Sequence, residues 1–128
     1  MSKRVLLVDD DPDFLLSTGT LLRSAGYTVT TAESVADAEG KLAEERPDVA
    51  IIDLMMEEFD GGFSLCHSIK KRDASIPVIM VTAVTSDTGL NFDESTGGDR
   101  SWIKADALLA KPVRFEQLQR ELGRLLKE

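Results

Sequence analysis

The sequence predicts an α/β fold, a doubly wound parallel sheet with helices on both faces, and three observations carry that expectation. Short apolar runs of strand length alternate five times with stretches whose apolar residues recur at helical spacing. The runs Val5-Leu6-Leu7-Val8 and Val49-Ala50-Ile51-Ile52 are apolar at every position, which suits strands buried on both faces. Each strand expected near the centre ends in a polar residue. At 128 residues the chain fits a single domain, residues 1–128, with one substantial core. Strands alternating with helices in this way are joined by right-handed crossovers.

The first strand is Val5-Leu6-Leu7-Val8, closed by Asp9-Asp10-Asp11-Pro12. Asp11 stands where a helix N-cap belongs and Pro12 at the first helical position. Phe14, Thr18, Leu21, Leu22 and Ala25 then repeat at helical spacing up to Gly26. Residues 27–31 are rich in β-branched side chains and form the second strand. Ser34 with Asp37 resembles a capping box, and Val35, Ala38 and Leu42 mark the buried side of a second helix. Pro47 turns the chain extended into the third strand, which ends at Asp53. The Asp60-Gly61-Gly62 turn leads to a helix with Phe63, Cys66 and Ile69 inward. A fourth strand covers residues 77–81 and ends at Thr82. The fifth covers Ala107 to Ala110 and ends at Lys111, after which Pro112 opens a last helix along Phe115, Leu118, Leu122 and Leu125. Between them, residues 83–106 are polar and glycine-containing where a fourth helix is due, so that helix is expected to be irregular or shortened.

Composition excludes several classes. A net charge of -8 argues against a surface built for nucleic acid, because neutralising phosphates takes clustered Lys and Arg. The longest apolar runs fall far short of the roughly 20 residues that cross a bilayer, and no membrane association is expected. The apolar stretch behind Met1-Ser2-Lys3-Arg4 is too short for a signal peptide. The single cysteine, Cys66, reads as a buried structural thiol and suits a reducing cytoplasm. His67 reads as a surface residue with no assigned role.

In an open parallel α/β sheet, ligands bind at the carboxyl ends of the strands, where the strand order reverses. Those ends carry Asp9 and Asp10, Asp53, Thr82 and Lys111. Carboxylates gathered this closely repel, and a cation among them relieves the repulsion. Mg²⁺ suits the set, since it takes one or two carboxylates, keeps several waters and uses phosphate oxygens for the rest of its octahedron. An aspartate can itself be the nucleophile in phosphoryl transfer, a reaction governed by positioning and charge neutralisation. The metal and the Lys111 ammonium would supply the neutralisation, and Thr82 could hydrogen-bond a phosphoryl oxygen. Asp11 and Asp13 read instead as charges facing the dipole of the first helix.

Val8-Asp9-Asp10-Asp11-Pro12, Ile52-Asp53-Leu54-Met55-Met56 with Asp60-Gly61, Val81-Thr82-Ala83 and Ala110-Lys111-Pro112 together resemble the response-regulator receiver family of two-component systems, in its chemotaxis-regulator-like form. The resemblance covers nearly the whole chain. It implies a flavodoxin-like five-stranded sheet of order 2-1-3-4-5. It makes Asp53 the phosphoacceptor, Asp10 a direct Mg²⁺ ligand, Asp9 a ligand through water, and the backbone carbonyl of Met55 a further ligand. Thr82 becomes the hydroxyl that moves toward the phosphoryl group and Lys111 its ionic partner. The implied donor is a sensor histidine kinase or histidine phosphotransfer protein, the implied output an unidentified protein target, and homodimerisation is left open. Such a chain catalyses only its own modification and is not a turnover enzyme.

Three departures stand out. Glu57 and Glu58 occupy a loop where the family usually has proline four residues after the phosphoacceptor. Leu108 stands where an aromatic commonly swings inward. The interval from Thr82 to Lys111 is several residues longer than typical. Two alternatives follow from the residues: a degenerate receiver serving as a binding module, and a small phosphohydrolase with Asp9 as nucleophile and Asp11 as acid.

Overall fold

The computed structural model describes residues 3–53, 61–82, 106–110 and 113–126. Five parallel strands, β1 (Arg4–Val8), β2 (Thr28–Ala32), β3 (Val49–Asp53), β4 (Val78–Thr82) and β5 (Ala107–Ala110), form one sheet in the order β2-β1-β3-β4-β5. Four helices are described: α1 (Pro12–Ser24), α2 (Val35–Glu44), α3 (Gly61–Arg72) and α4 (Phe115–Leu126). The expected irregular helix between β4 and β5 falls on residues 83–105, outside the described residues.

Local chemistry sets the helix ends. The Asp11 carboxylate accepts the Asp13 N–H at 3.0 Å with Pro12 opening α1, as the sequence predicts. The helix stops at Gly26, whose φ of 100° is open to glycine at little cost. There the Tyr27 N–H reaches the Leu22 carbonyl at 3.1 Å and the Gly26 N–H that of Arg23 at 3.0 Å, so the last carbonyls of α1 are satisfied. At α2 the Ser34 hydroxyl accepts the Asp37 N–H at 3.0 Å, while the Asp37 carboxylate reaches back to the Glu33 N–H at 3.2 Å, one residue earlier than a standard capping box.

The sheet separates two apolar layers. On one side Leu6, Val8, Ala50, Ile52, Val78 and Met80 meet α2 through Ala38 and Leu42 and α3 through Leu65, Cys66 and Ile69. On the other, Val5, Leu7, Ile51, Ile79 and Val81 meet α1 through Leu15 and Leu22 and α4 through Leu118 and Leu122. Alternate residues of β1 and β3 thus serve opposite layers, which is why those strands are apolar throughout. The helical spacing read in α1 holds, but its buried stripe is Leu15, Thr18, Gly19 and Leu22, the i, i+3, i+4, i+7 set, and Leu21 is 47% exposed. The Phe14 and Leu21 positions lie on its shoulder.

The amino ends of the strands are closed by two carboxylates with parallel roles. Asp48, just before β3, accepts the Arg4 N–H at 2.7 Å and donates its own N–H to the Arg4 carbonyl at 2.8 Å. Asp106, just before β5, does the same with Val78, both contacts at 2.8 Å, and also takes the Lys70 ammonium of α3 at 2.7 Å. Arg46 and Ser75 clasp Asp73 between them and join the segments preceding β3 and β4. Among the described residues these contacts tie together the segments that enter β1, β3, β4 and β5.

Candidate functional site

The register of the sheet gathers the site. β1 and β3 are neighbours, with Val8 beside Ile52, so the next residues, Asp9 and Asp53, leave the sheet side by side. Asp53 pairs with Val81 on β4, which puts Thr82 one step beyond on the adjacent strand. Thr82 in turn pairs with Ala110, the residue before Lys111. Asp9 is fixed from two directions. Its N–H donates to the Ala32 carbonyl of β2 at 3.1 Å, and its carboxylate accepts the Asp11 N–H at 2.9 Å, so the turn that caps α1 also orients it.

Asp9, Asp10 and Asp53 each present a carboxylate oxygen, and the three oxygens lie within 4.8 Å of one another. Asp9 is 0% and Asp53 4% exposed, while Asp10 is exposed at the rim. Two buried anions and a third at the mouth are costly to hold together unless a cation or donors compensate them. An octahedral Mg²⁺ with oxygens at about 2.1 Å separates its ligands by about 3 Å at neighbouring corners and about 4 Å at opposite ones. The observed cluster matches that span after a small closure, or with one carboxylate acting through water. The donor set, all carboxylate oxygen, is that of a hard divalent ion and not of zinc or copper.

Asp9, Asp10 and Asp53 are thus brought together as the sequence predicts, and the Thr82 backbone lies beside them on the next strand. Met55 and Lys111 lie outside the described residues, as do Glu57 and Glu58. Cys66 is fully buried against the sheet and His67 is exposed, matching the structural roles expected of them. Sequence reasoning missed Asp48, Asp73 and Asp106, whose partners Arg4, Arg46, Val78 and Lys70 are far away along the chain; the one available signal was an aspartate shortly before an apolar strand.

The family model for the response regulator receiver domain matches residues 5–122. This chain belongs to the response-regulator receiver family. The receiver is 33% identical over 120 residues to the adventurous-gliding motility protein Z of Myxococcus xanthus, covering 92% of this chain and 8% of that protein. It is 34% identical over 125 residues to the probable transcriptional regulator ycf27 of Guillardia theta, covering 98% of this chain and 46% of that one. The receiver therefore spans about half the length, or less, of the curated relatives it matches. Among solved structures it resembles the response regulator receiver domain protein of Methanospirillum hungatei, with a TM-score of 0.83, 27% identity and coverage of 99% of this chain and 95% of that one. The response regulator TrrA of Thermotoga maritima, solved in complex with Mg²⁺-BeF, gives a TM-score of 0.76 at 25% identity, covering 96% and 98%. The fold is accordingly flavodoxin-like, and the chain is a receiver domain of the two-component type. Among the described residues, no helix is long and apolar enough to cross a membrane.

Proposed function

We propose that this receiver, a single domain over residues 1–128, accepts a phosphoryl group on Asp53 from the phosphohistidine of a sensor histidine kinase or a histidine phosphotransfer protein. The convergence of three carboxylate oxygens within 4.8 Å at the carboxyl ends of β1 and β3 is the observation that carries this reading. The three carboxylates fit Mg²⁺: Asp10 and Asp53 would hold it directly and Asp9 through water, and the resemblance adds the Met55 carbonyl as a further ligand. Bound there, the ion supplies positive charge to the oxygens of the phosphoryl group in transfer.

The chain's own groups do the rest. Asp53, at the end of a strand buried on both faces, is held in one place so that its carboxylate oxygen meets the phosphorus in line. A P–O bond to Asp53 forms as the P–N bond to the donor imidazole breaks, and the product is an acyl phosphate. Thr82 donates a hydrogen bond to a phosphoryl oxygen, and Lys111 neutralises the added charge from the side of β5. The charge at Asp53 then biases two arrangements of the β4 and β5 region, which a downstream protein reads. The chain turns over no external substrate beyond its phosphodonor.

The phosphohydrolase reading is disfavoured by Asp9 itself. Its carboxylate is engaged by the Asp11 N–H, and Asp11, the acid that reading requires, spends its own carboxylate capping α1 through the Asp13 N–H. Intact protein incubated with Mg²⁺ and a small acyl phosphate is expected to gain the mass of one phosphoryl group, and Asp53→Asn to gain none. Labelling that survives the substitution refutes the assignment, and steady phosphate release that depends on Asp9 would favour the hydrolase.

A further inference from the structure

The outer edge of the sheet at β2 is closed by two cations arriving from opposite faces. β2 is the outermost strand, and among the described residues no strand lies beyond it. Its even-numbered residues turn their backbone toward β1: the Thr28 N–H donates to the Lys3 carbonyl at 2.9 Å and the Ala32 carbonyl accepts the Asp9 N–H at 3.1 Å. Because backbone groups alternate along a strand, Val29 and Thr31 present theirs outward. Both outward carbonyls are taken. Arg23, from the last turn of α1, donates to the Val29 carbonyl at 3.4 Å, and Lys41, from α2, donates to the Thr31 carbonyl at 3.2 Å.

This arrangement matters because the strand beneath it is well suited to pairing. Thr28-Val29-Thr30-Thr31-Ala32 carries no charge and is β-branched at four of five positions, the composition of a sticky edge. Its outward row is also self-complementary. A second copy, related by a twofold axis at Thr30 and running antiparallel, would set Val29 against Thr31 and Thr31 against Val29. Each such pair exchanges two backbone hydrogen bonds.

We propose that Arg23 and Lys41 are the groups that hold the β2 edge shut against the β2 edge of a second copy of this chain. The test replaces both cations while keeping their aliphatic stems, as R23M/K41M, in the full chain. Wild type is expected to sediment as a monomer of 14.0 kDa and the double variant, as concentration rises, at twice that mass. Adding Val29→Pro, which deletes an outward N–H and no bond to β1, is expected to return the double variant to monomer. The single variants R23M and K41M, each leaving one carbonyl covered, are expected to remain monomeric and keep a cooperative melt. A double variant that stays monomeric at every concentration overturns the proposal, and so does a dimer that Val29→Pro leaves intact.

Discussion

Replacing Asp10 by Asn tests the metal site through stability alone, without any phosphodonor. Two charges 4.8 Å apart, the outer limit of the oxygen separations in the cluster, repel by about 0.9 kcal/mol at the dielectric of water. Water is the right reference because Asp10 is exposed. Asparagine keeps the shape and removes two of the three pairwise repulsions, about 1.7 kcal/mol before screening. Physiological salt, with a Debye length of about 8 Å, roughly halves this to about 1 kcal/mol. For 128 residues the unfolding entropy makes that an increase in Tm of about 4 °C. The expected outcome in chelator is therefore a variant more stable than wild type. With Mg²⁺ at ten times its dissociation constant, wild type should gain about 1.4 kcal/mol, or about 5 °C, and overtake the variant, which gains much less. Thermal melts followed by circular dichroism across a Mg²⁺ titration read both effects. A variant less stable than wild type in chelator, or one with the same Mg²⁺ response, would show that Asp10 takes no part in a cation site.

Three further outcomes are expected. Gly40 in α2 and Gly123 in α4 have nothing within 4 Å of where a Cβ would stand, and Gly19 in α1 would meet only ordinary contacts at 3.6 and 3.8 Å, so alanine at each should stabilise by about 0.5–1 kcal/mol in urea denaturation. The Asp73 carboxylate is held well below the usual carboxylate range, first by the Ser75 hydroxyl and then by Arg46. A depressed folded-state pKa gives stability that is present above the unfolded value of about 4 and is lost as pH falls below it. Asp73→Asn should therefore flatten the acid limb of the stability profile below pH 4 and leave its slope near pH 7 unchanged. Finally, Met55 and Val84, two residues beyond Asp53 and Thr82 respectively in the sequence, are apolar, so on the proposed reading they should order attacking water poorly. Loss of the phosphoryl group from Asp53, followed by mass spectrometry, should take much longer than seconds and speed up on Met55→Asn.

Much of this architecture was legible because its determinants are local. Strand ends could be read from polar residues closing apolar runs, and β5 was located at Ala107–Ala110 to the residue. Its four residues are bounded by polar Asp106 and Lys111, so no neighbour could shift it. The start of β2 was less distinct: the sequence favours residue 27, but the Tyr27 N–H belongs to the end of α1, and the ladder begins at Thr28. Which side of α1 faces inward was less distinct, since leucines at 15, 16, 21 and 22 surround the helix, and in the fold Leu15 and Leu22 are buried while Leu16 and Leu21 are exposed. The carboxylate cluster was legible because it needs nothing beyond strand order and register. The contacts of Asp48, Asp73 and Asp106 were not, because each depends on segments that only the folded sheet brings together.

The fastening at Asp106 bears on how the two ends of the sheet are held. β4 and β5 run parallel, so the chain leaving Thr82 at the chemical end of the sheet must return to the far end before β5 can begin, whatever route residues 83–105 take. Its landing point is held by contacts to Val78, twice, to Lys70 of α3 and to Arg124 of α4, whose guanidinium donates to the Asp106 carbonyl at 3.2 Å. Departure and arrival are therefore both set by contacts among the described residues, and the same sheet registers hold Asp9 beside Asp53. One end of the sheet is thus fastened by Asp106 and the other gathers Asp9, Asp10 and Asp53, so the two ends are held by separate sets of contacts.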